Sequence, residues 1–161
     1  MADATVDLSK PCTISLTREF DAPRELVWTA ITDPAQVDVW WGPDGFQNIT
    51  RKNDLRVGGS WVFVMRSPDG HDFPNAITYR ELVPPERLAY RQGTSEEENP
   101  EQDFNAVITL EDLAGKTRLS LTMTFANQEA LDTVIRDYGA VEGGQQHLEK
   151  LSDHLERMRA R

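Results

Sequence analysis

The chain has 161 residues and a formal net charge of −10 at pH 7, with 39% hydrophobic and 27% charged residues. This length and composition suit one globular domain, and the acidic balance excludes a general affinity for the phosphate backbone of nucleic acids. No stretch reaches the ~18 apolar residues of a membrane span, and the single cysteine allows neither an internal disulfide nor a cysteine-based metal site.

The N-terminal residues 1–10 are predicted to be a flexible leader, followed by one domain over residues 11–161. The leader has no basic region followed by an apolar stretch, so it does not resemble a signal peptide. Together with the single cysteine, this favours a cytoplasmic protein.

The first elements of the domain are a strand and two short helices. In residues 12–20 the apolar side chains alternate with threonine and serine, which predicts a half-buried strand. A helix is predicted after Asp21, which is placed to cap it, and Pro23 suits its first turn. A second helix ends at the Trp40-Trp41 pair, before Gly42-Pro43.

Strands follow, predicted near residues 46–52, 60–67, 74–82, 87–93, 103–112 and 117–125. Short turns such as 67–70 separate them, which predicts an antiparallel meander. The bulkier face of each strand is expected to point inward, so the interior is rich in Trp, Phe, Tyr and Met.

Apolar residues recur at spacings of three and four over residues 127–160, which predicts one long terminal helix of roughly 50 Å. Gly139, Gly143 and Gly144 lie inside it, and each costs about 1 kcal/mol relative to alanine. Such glycines are retained for close packing, a bend, or room beside the helix. The fold class is therefore α+β, a curved antiparallel sheet wrapped around one C-terminal helix.

A sheet closed by one helix leaves a space that a single helix face cannot fill. Apolar space with a few polar groups is typical of a small-molecule site. The residues predicted to line it are Trp40, Trp41, Phe46, Trp61, Phe63, Met65, Ile77, Tyr79, Phe104, Tyr138, Val141 and Gln145. Of Trp40 and Trp41, one is expected to seal the core and the other to face the cavity.

Several segments together resemble a known family: FDAPRELVWTAITDPAQVDVWWGP, DLRVGGSW, YRELVPPERLAY, LTMTF and YGAVEGGQQHLEKL. The chain resembles the SRPBCC superfamily, with the START/Bet v 1-like helix-grip fold, over residues 12–158. Within it, the chain is similar to the bacterial branch related to the C-terminal domain of the activator of Hsp90 ATPase. The resemblance implies a cavity that often takes hydrophobic ligands. Such proteins often carry a tryptophan where this chain has Gly144.

Three functions are compatible with this pattern. The first is binding of a small hydrophobic or aromatic molecule. The second is a cavity enzyme, cyclase- or hydrolase-like, using Glu81, Glu142 or Tyr79, although no catalytic residue is assigned. The third is an Hsp90-type co-chaperone or other protein-partner domain, although no additional N-terminal domain like that of the eukaryotic activators is expected.

No cofactor or metal site is predicted. His147 and His154 are too far apart for a helical zinc site, and with His71 they are interpreted as surface residues. A monomer or weak dimer is expected.

Overall fold

The computed structural model describes residues 4–160. Within this range the chain forms one antiparallel sheet of eight strands and, in addition, four helices. The strands are β1 (Thr5–Asp7), β2 (Thr13–Phe20), β3 (Gln47–Asn53), β4 (Ser60–Arg66), β5 (Asp72–Val83), β6 (Arg87–Gly93), β7 (Phe104–Asp112) and β8 (Thr117–Phe125). The helices are α1 (Arg24–Thr32), α2 (Pro34–Trp40), α3 (Gln128–Tyr138) and α4 (Ala140–Arg159).

The strands follow the order β1-β2-β8-β7-β6-β5-β4-β3, so the sheet is open, with β1 and β3 at its edges. The predicted strands lie within two residues of the observed ones, because period-two alternation is a direct consequence of strand geometry. Register shifts interrupt the ladders between Thr50 and Lys52 and between Tyr79 and Glu81. Bulges of this kind bend a strand and increase its twist, as wrapping around a helix requires.

The predicted inner faces are confirmed. On β4, Trp61 and Phe63 are buried, and on β7 and β8 the same holds for Ile108 and Leu121. On α4, Leu148, Leu151 and Leu155 are buried in the same core cluster. The core therefore lies between one face of the sheet and the apolar face of α4.

Residues 5–7 form an edge strand, in contrast to the prediction of a flexible leader over residues 1–10. β1 pairs with β2 antiparallel, Val6 lying opposite Leu16. Residues 1–3 of that predicted leader lie outside the described residues.

The prediction of one continuous helix over residues 127–160 is wrong, because the chain divides into α3 and α4 at Gly139. Gly139 adopts the left-handed conformation, with φ of 60°, and its N–H donates to the carbonyl of Val134. Glycine takes this conformation without the steric cost that a Cβ brings, and it commonly ends helices in this way. The C-terminal helix that packs on the sheet is thus α4, 20 residues and roughly 30 Å long.

Gly144 lets α4 approach the sheet closely. A Cβ built at this position would lie 3.2 Å from Cδ1 of Leu16 on β2, which is tighter than ordinary contact. Gly143 differs, since its Cβ would meet Cγ of Pro43 at an ordinary 3.8 Å. The two adjacent glycines therefore differ: Gly144 allows close packing, whereas a side chain at Gly143 would make only an ordinary contact.

The turn before β4 is fixed by hydrogen bonds of its own residues and of Tyr79. Nε of Arg56 donates to Asp54 Oδ2 at 2.8 Å. The N–H of Gly58 donates to the carbonyl of Tyr79, and the N–H of Tyr79 to the carbonyl of Gly59. A Cβ at Gly59 would lie 2.2 Å from the carbonyl oxygen of Asp54, so this position requires glycine.

Candidate ligand cavity

A cavity of about 380 Å³ opens between the sheet and the two C-terminal helices. Its walls are mostly apolar, and the main apolar residues are Trp41, Met65, Phe104, Leu121, Met123, Phe125 and Val134. Gly143 and Gly144 border it on the side of α4, and Tyr138 at the end of α3 lies at the rim, where its side chain is largely exposed.

The two adjacent tryptophans have different environments. Nε1 of Trp40 donates to the carbonyl of Ala30 at 2.8 Å, and the side chain is buried in the core. Trp41 lines the cavity. Its ring packs edge-on against Trp61, with centroids 5.4 Å apart, so Trp61 supports Trp41 from behind and does not itself line the cavity.

The loop after Trp41 is fastened to α4 by three hydrogen bonds. The N–H of Gly42 donates to Nδ1 of His147 at 3.0 Å, and the N–H of Asp44 donates to Oε1 of Gln146 at 3.2 Å. Nζ of Lys150 donates to the carbonyl of Pro43 at 3.1 Å. Gly42 has φ of 104°, so the Trp-Trp-Gly-Pro segment needs glycine where it turns towards the helix. This wall of the cavity is therefore held in place by hydrogen bonds between side chains of α4 and the backbone of the loop.

His147 is a neutral imidazole of defined tautomer. Because Nδ1 accepts the Gly42 N–H, the ring proton lies on Nε2. Burial, and then the neighbouring charge of Lys150, lower the pKa of His147 from 6.5 to about 3. The ring packs against both Trp40 and Trp41, with centroids 4.8 and 4.6 Å away. His147 lines the cavity, and no hydrogen bond joins its Nε2 to another residue within 4–160.

Tyr90 is the second polar aromatic side chain of the wall. It is buried on β6, lines the cavity and packs against Trp41 at a centroid distance of 6.0 Å. Burial raises the pKa of its phenol, so the hydroxyl stays protonated at neutral pH. Across the described part of the chain, this hydroxyl has no hydrogen-bond partner, whereas Tyr79 on the neighbouring strand donates to Asn53.

The remaining polar groups of the wall are neutral. Nε2 of Gln92 donates to Oδ1 of Asn75 at 3.0 Å, and Asn75 donates to the carbonyl of Phe73. None of the lining residues between positions 4 and 160 carries a formal charge at neutral pH. The cavity is therefore suited to uncharged molecules.

The structure brings four of the twelve predicted site residues to the cavity: Trp41, Met65, Phe104 and Tyr138. Five others lie in the filled core: Trp40, Trp61, Phe63, Ile77 and Tyr79. Phe46 is half-buried and contacts Phe73, with centroids 6.2 Å apart. Val141 is half-buried on α4 without lining the cavity, and Gln145 faces a separate polar depression beside Arg18 and Glu149.

The three residues considered for a cavity enzyme do not line the cavity. Glu81 is exposed and pairs with Arg87 at 3.0 Å. Glu142 is exposed in the first turn of α4. Tyr79 is engaged with Oδ1 of Asn53 at 2.7 Å, and burial raises its pKa to about 12. None of them is therefore placed to act on a molecule in the cavity.

Sequence reasoning missed His147 and Tyr90. The interpretation of His147 and His154 as surface residues is wrong, since His154 is buried and its Nε2 lies 2.6 Å from Oε1 of Gln36. His147 follows Gly144 by three positions and precedes Leu151 by four, which is the spacing of the inner face of α4. Tyr90 lies on the same face of β6 as Leu88 and Gln92, and this period-two spacing could have predicted that it points inward.

Residues 4–160 were the part of the chain considered for a metal site and for a membrane-spanning helix. No group of three or more His, Cys, Asp or Glu side chains is arranged to hold a metal ion there. None of the helices in that range combines the length and the apolar character needed to cross a bilayer.

Comparison with solved structures gives close matches of fold. A protein from Arthrobacter aurescens is 26% identical, with a TM-score of 0.86, and the alignment covers 95% of this chain and 91% of that one. A protein from Nitrosomonas europaea is 26% identical, with a TM-score of 0.81 and coverage of 93% and 97%. A protein from Chromobacterium violaceum is 30% identical, with a TM-score of 0.74 and coverage of 89% and 96%.

A comparison with curated proteins gives no match. The family model for activator of Hsp90 ATPase homolog 1-like protein matches residues 21–156. That range contains the Trp-Trp-Gly-Pro loop, all of the strands β3 to β8 and most of α4. The fold is the helix-grip fold of the SRPBCC superfamily, and the chain belongs to the activator of Hsp90 ATPase homolog 1-like family.

Proposed function

We propose that this protein binds a small hydrophobic or aromatic molecule in the cavity between the sheet and the C-terminal helices. The observation that carries the proposal is the cavity itself, about 380 Å³, with mostly apolar walls and neutral polar groups. Small-molecule sites in proteins have volumes of about 300–1,000 Å³ and this type of lining. The fold of the family, which commonly binds ligands, also supports the proposal.

The architecture of the wall supports binding in a second way. Trp41 is held between Trp61 behind it and His147 beside it, so its position is fixed before any ligand enters. A preorganised aromatic wall lowers the entropy cost of binding. The proposal includes a cytoplasmic location, for which Cys12, as the single cysteine, is the sequence argument.

The test uses N-phenyl-1-naphthylamine, an uncharged dye that fluoresces strongly in apolar surroundings. We expect a saturable rise in fluorescence and a rise in melting temperature. A ligand at 100 times its Kd stabilises the folded state by about 2.7 kcal/mol.

Gly143 offers a matched pair of variants. Gly143→Leu places an isobutyl group on the side of α4 that borders the cavity, and we expect it to abolish dye binding while the far-ultraviolet circular dichroism stays unchanged. Gly143→Ala adds one methyl group at ordinary contact distance from Pro43, and should keep binding. The absence of saturable binding to the unmodified protein, or equal binding by Gly143→Leu, would contradict the proposal.

A further inference from the structure

Among the hydrogen-bond donors of the cavity wall without a partner in the described residues, two belong to rings next to Trp41. They are the hydroxyl of Tyr90 and the Nε2–H of His147, and both rings pack against Trp41. Two aromatic polar groups of the adjoining core are satisfied: Trp40 donates to Ala30 and Tyr79 to Asn53. The two unpartnered donors therefore set the cavity apart from the core that adjoins it.

We propose that the ligand is an uncharged, largely apolar molecule with a carbonyl-type oxygen that accepts hydrogen bonds from Tyr90 and His147. This inference rests on the proposed function and adds the chemical class of the ligand. Its apolar part contacts the Trp41 ring and the sheet, and its acceptor oxygen lies at the Tyr90 and His147 side of the wall.

The direction of the hydrogen bond is fixed by His147. Its Nδ1 accepts the backbone N–H of Gly42, so Nε2 carries the proton and can only donate. The Gly42 loop cannot easily release this bond, because Asp44 and Pro43 are also bonded to α4. A ligand group that meets Nε2 must consequently be an acceptor.

Tyr90 reinforces the same preference. A phenol can donate or accept, but an oxygen with two lone pairs satisfies both Tyr90 and His147 at once. A ligand that displaces water from these groups without replacing its hydrogen bonds loses affinity. A purely hydrocarbon ligand therefore binds more weakly than a ketone of the same shape.

The charge of the wall excludes ionised ligands. None of the lining residues within positions 4–160 is an arginine, lysine, aspartate or glutamate. Lys150 is nearby but does not line the cavity, and its ammonium group donates to the carbonyl of Pro43. A carboxylate would be desolvated in the cavity without a cationic partner, which is costly.

The experiment compares three probes of similar shape in displacement of N-phenyl-1-naphthylamine: 2-acetylnaphthalene, 2-ethylnaphthalene and 2-naphthoate. We expect the ketone to bind about tenfold more tightly than the ethyl compound, and the carboxylate to bind most weakly. This comparison is made on the unmodified protein, so it does not depend on the folding of a variant.

The variants then assign the preference to the two donors. Tyr90→Phe removes the hydroxyl alone. His147→Asn keeps an oxygen near Nδ1 to accept the Gly42 N–H and removes the Nε2 donor, whereas His147→Gln keeps an N–H near Nε2. We expect Tyr90→Phe and His147→Asn each to weaken binding of the ketone about fivefold more than they weaken binding of the ethyl compound. His147→Gln should retain part of the preference for the ketone.

Equal affinity for ketone and ethyl compound, with both displacing the dye, would overturn the donor assignment and leave the hydrophobic binding function standing. The same conclusion follows if the variants weaken both compounds equally. Tightest binding of the carboxylate would overturn the inference of an uncharged ligand. If neither the dye nor any naphthalene binds, the proposed function fails as well, so the two failures are distinguishable.

Discussion

Two neighbouring regions of the interior contain the same types of aromatic side chain. The region around Trp61 and Phe63, called here the Trp61 end, is filled core. The region around Trp41, Tyr90 and His147, called the Trp41 end, borders the cavity. At the Trp61 end, the Trp61 ring stacks on Phe63 with centroids 3.8 Å apart and donates from Nε1 to Thr50 at 3.0 Å. At the Trp41 end, Tyr90 and His147 expose polar groups to the cavity. The difference teaches that the two regions are distinguished by whether the polar groups of the aromatic side chains have hydrogen-bond partners, and not by the presence of aromatic rings.

We expect the two regions to differ most in how much stability is lost when their tryptophan is replaced by alanine. Trp61→Ala should lower the free energy of unfolding by about 3–5 kcal/mol, because it leaves a void in filled core. Trp41→Ala should cost at least ~1 kcal/mol less, since one side of that ring already borders open space. Urea unfolding of both variants measures this, and equal losses would mean that the two ends are packed alike.

His147 should also make the stability of the protein depend on pH. The pKa of His147 in the folded protein is about 3, below its ordinary 6.5, so this imidazole binds a proton more strongly in the unfolded chain. The stability that the neutral ring contributes is fully present above pH 6.5 and is lost as the pH falls towards 3. Between pH 7 and pH 4 we expect this to remove about 2–3 kcal/mol from the free energy of unfolding.

The measurement is the difference between wild type and His147→Asn in urea unfolding at both pH values, because titrating carboxylates contribute equally to each protein. Nuclear magnetic resonance should also show no protonation of the folded His147 ring at pH 5. A pH profile that is identical for the two proteins would show that His147 is not held neutral.

The smallest and most specific contrast is between two tyrosines. Tyr79→Phe leaves Oδ1 of Asn53 without its 2.7 Å donor and should cost about 1–2 kcal/mol. Tyr90→Phe removes a hydroxyl that has no partner among the described residues, and should change the free energy of unfolding by less than ~0.5 kcal/mol. A loss at Tyr90 as large as that at Tyr79 would reveal a hydrogen bond in the cavity wall.

Much of the fold could be predicted from the sequence, because strand alternation is a local property. The inner faces of β4, β7 and β8 follow from it directly. The break at Gly139 could not be predicted in the same way, since apolar spacings of three and four continue on both sides of it. A helical glycine and a left-handed glycine look identical in sequence, and only the packing of α3 on the sheet distinguishes them.

The site was less predictable, because parity assigns a face but not a depth along the strand. Trp61 and Phe63 share a face with Met65, yet Met65 alone of the three borders the cavity. That distinction depends on where α4 crosses the sheet, which Gly144 and Leu16 set through contacts distant in sequence. The family resemblance predicted that a cavity exists, but it did not predict which residues form its wall.

The break at Gly139 also separates a helix that borders the cavity, α3, from the helix that supplies most of the buried residues, α4. Leu131 is the one buried residue among the 11 positions of α3, whereas α4 contributes five to the interior. Substitutions at Val134 and Tyr138 can therefore alter the cavity wall while the core keeps its stability. Under the proposed function, a change of ligand would require few mutations, and those mutations would be concentrated in one short segment.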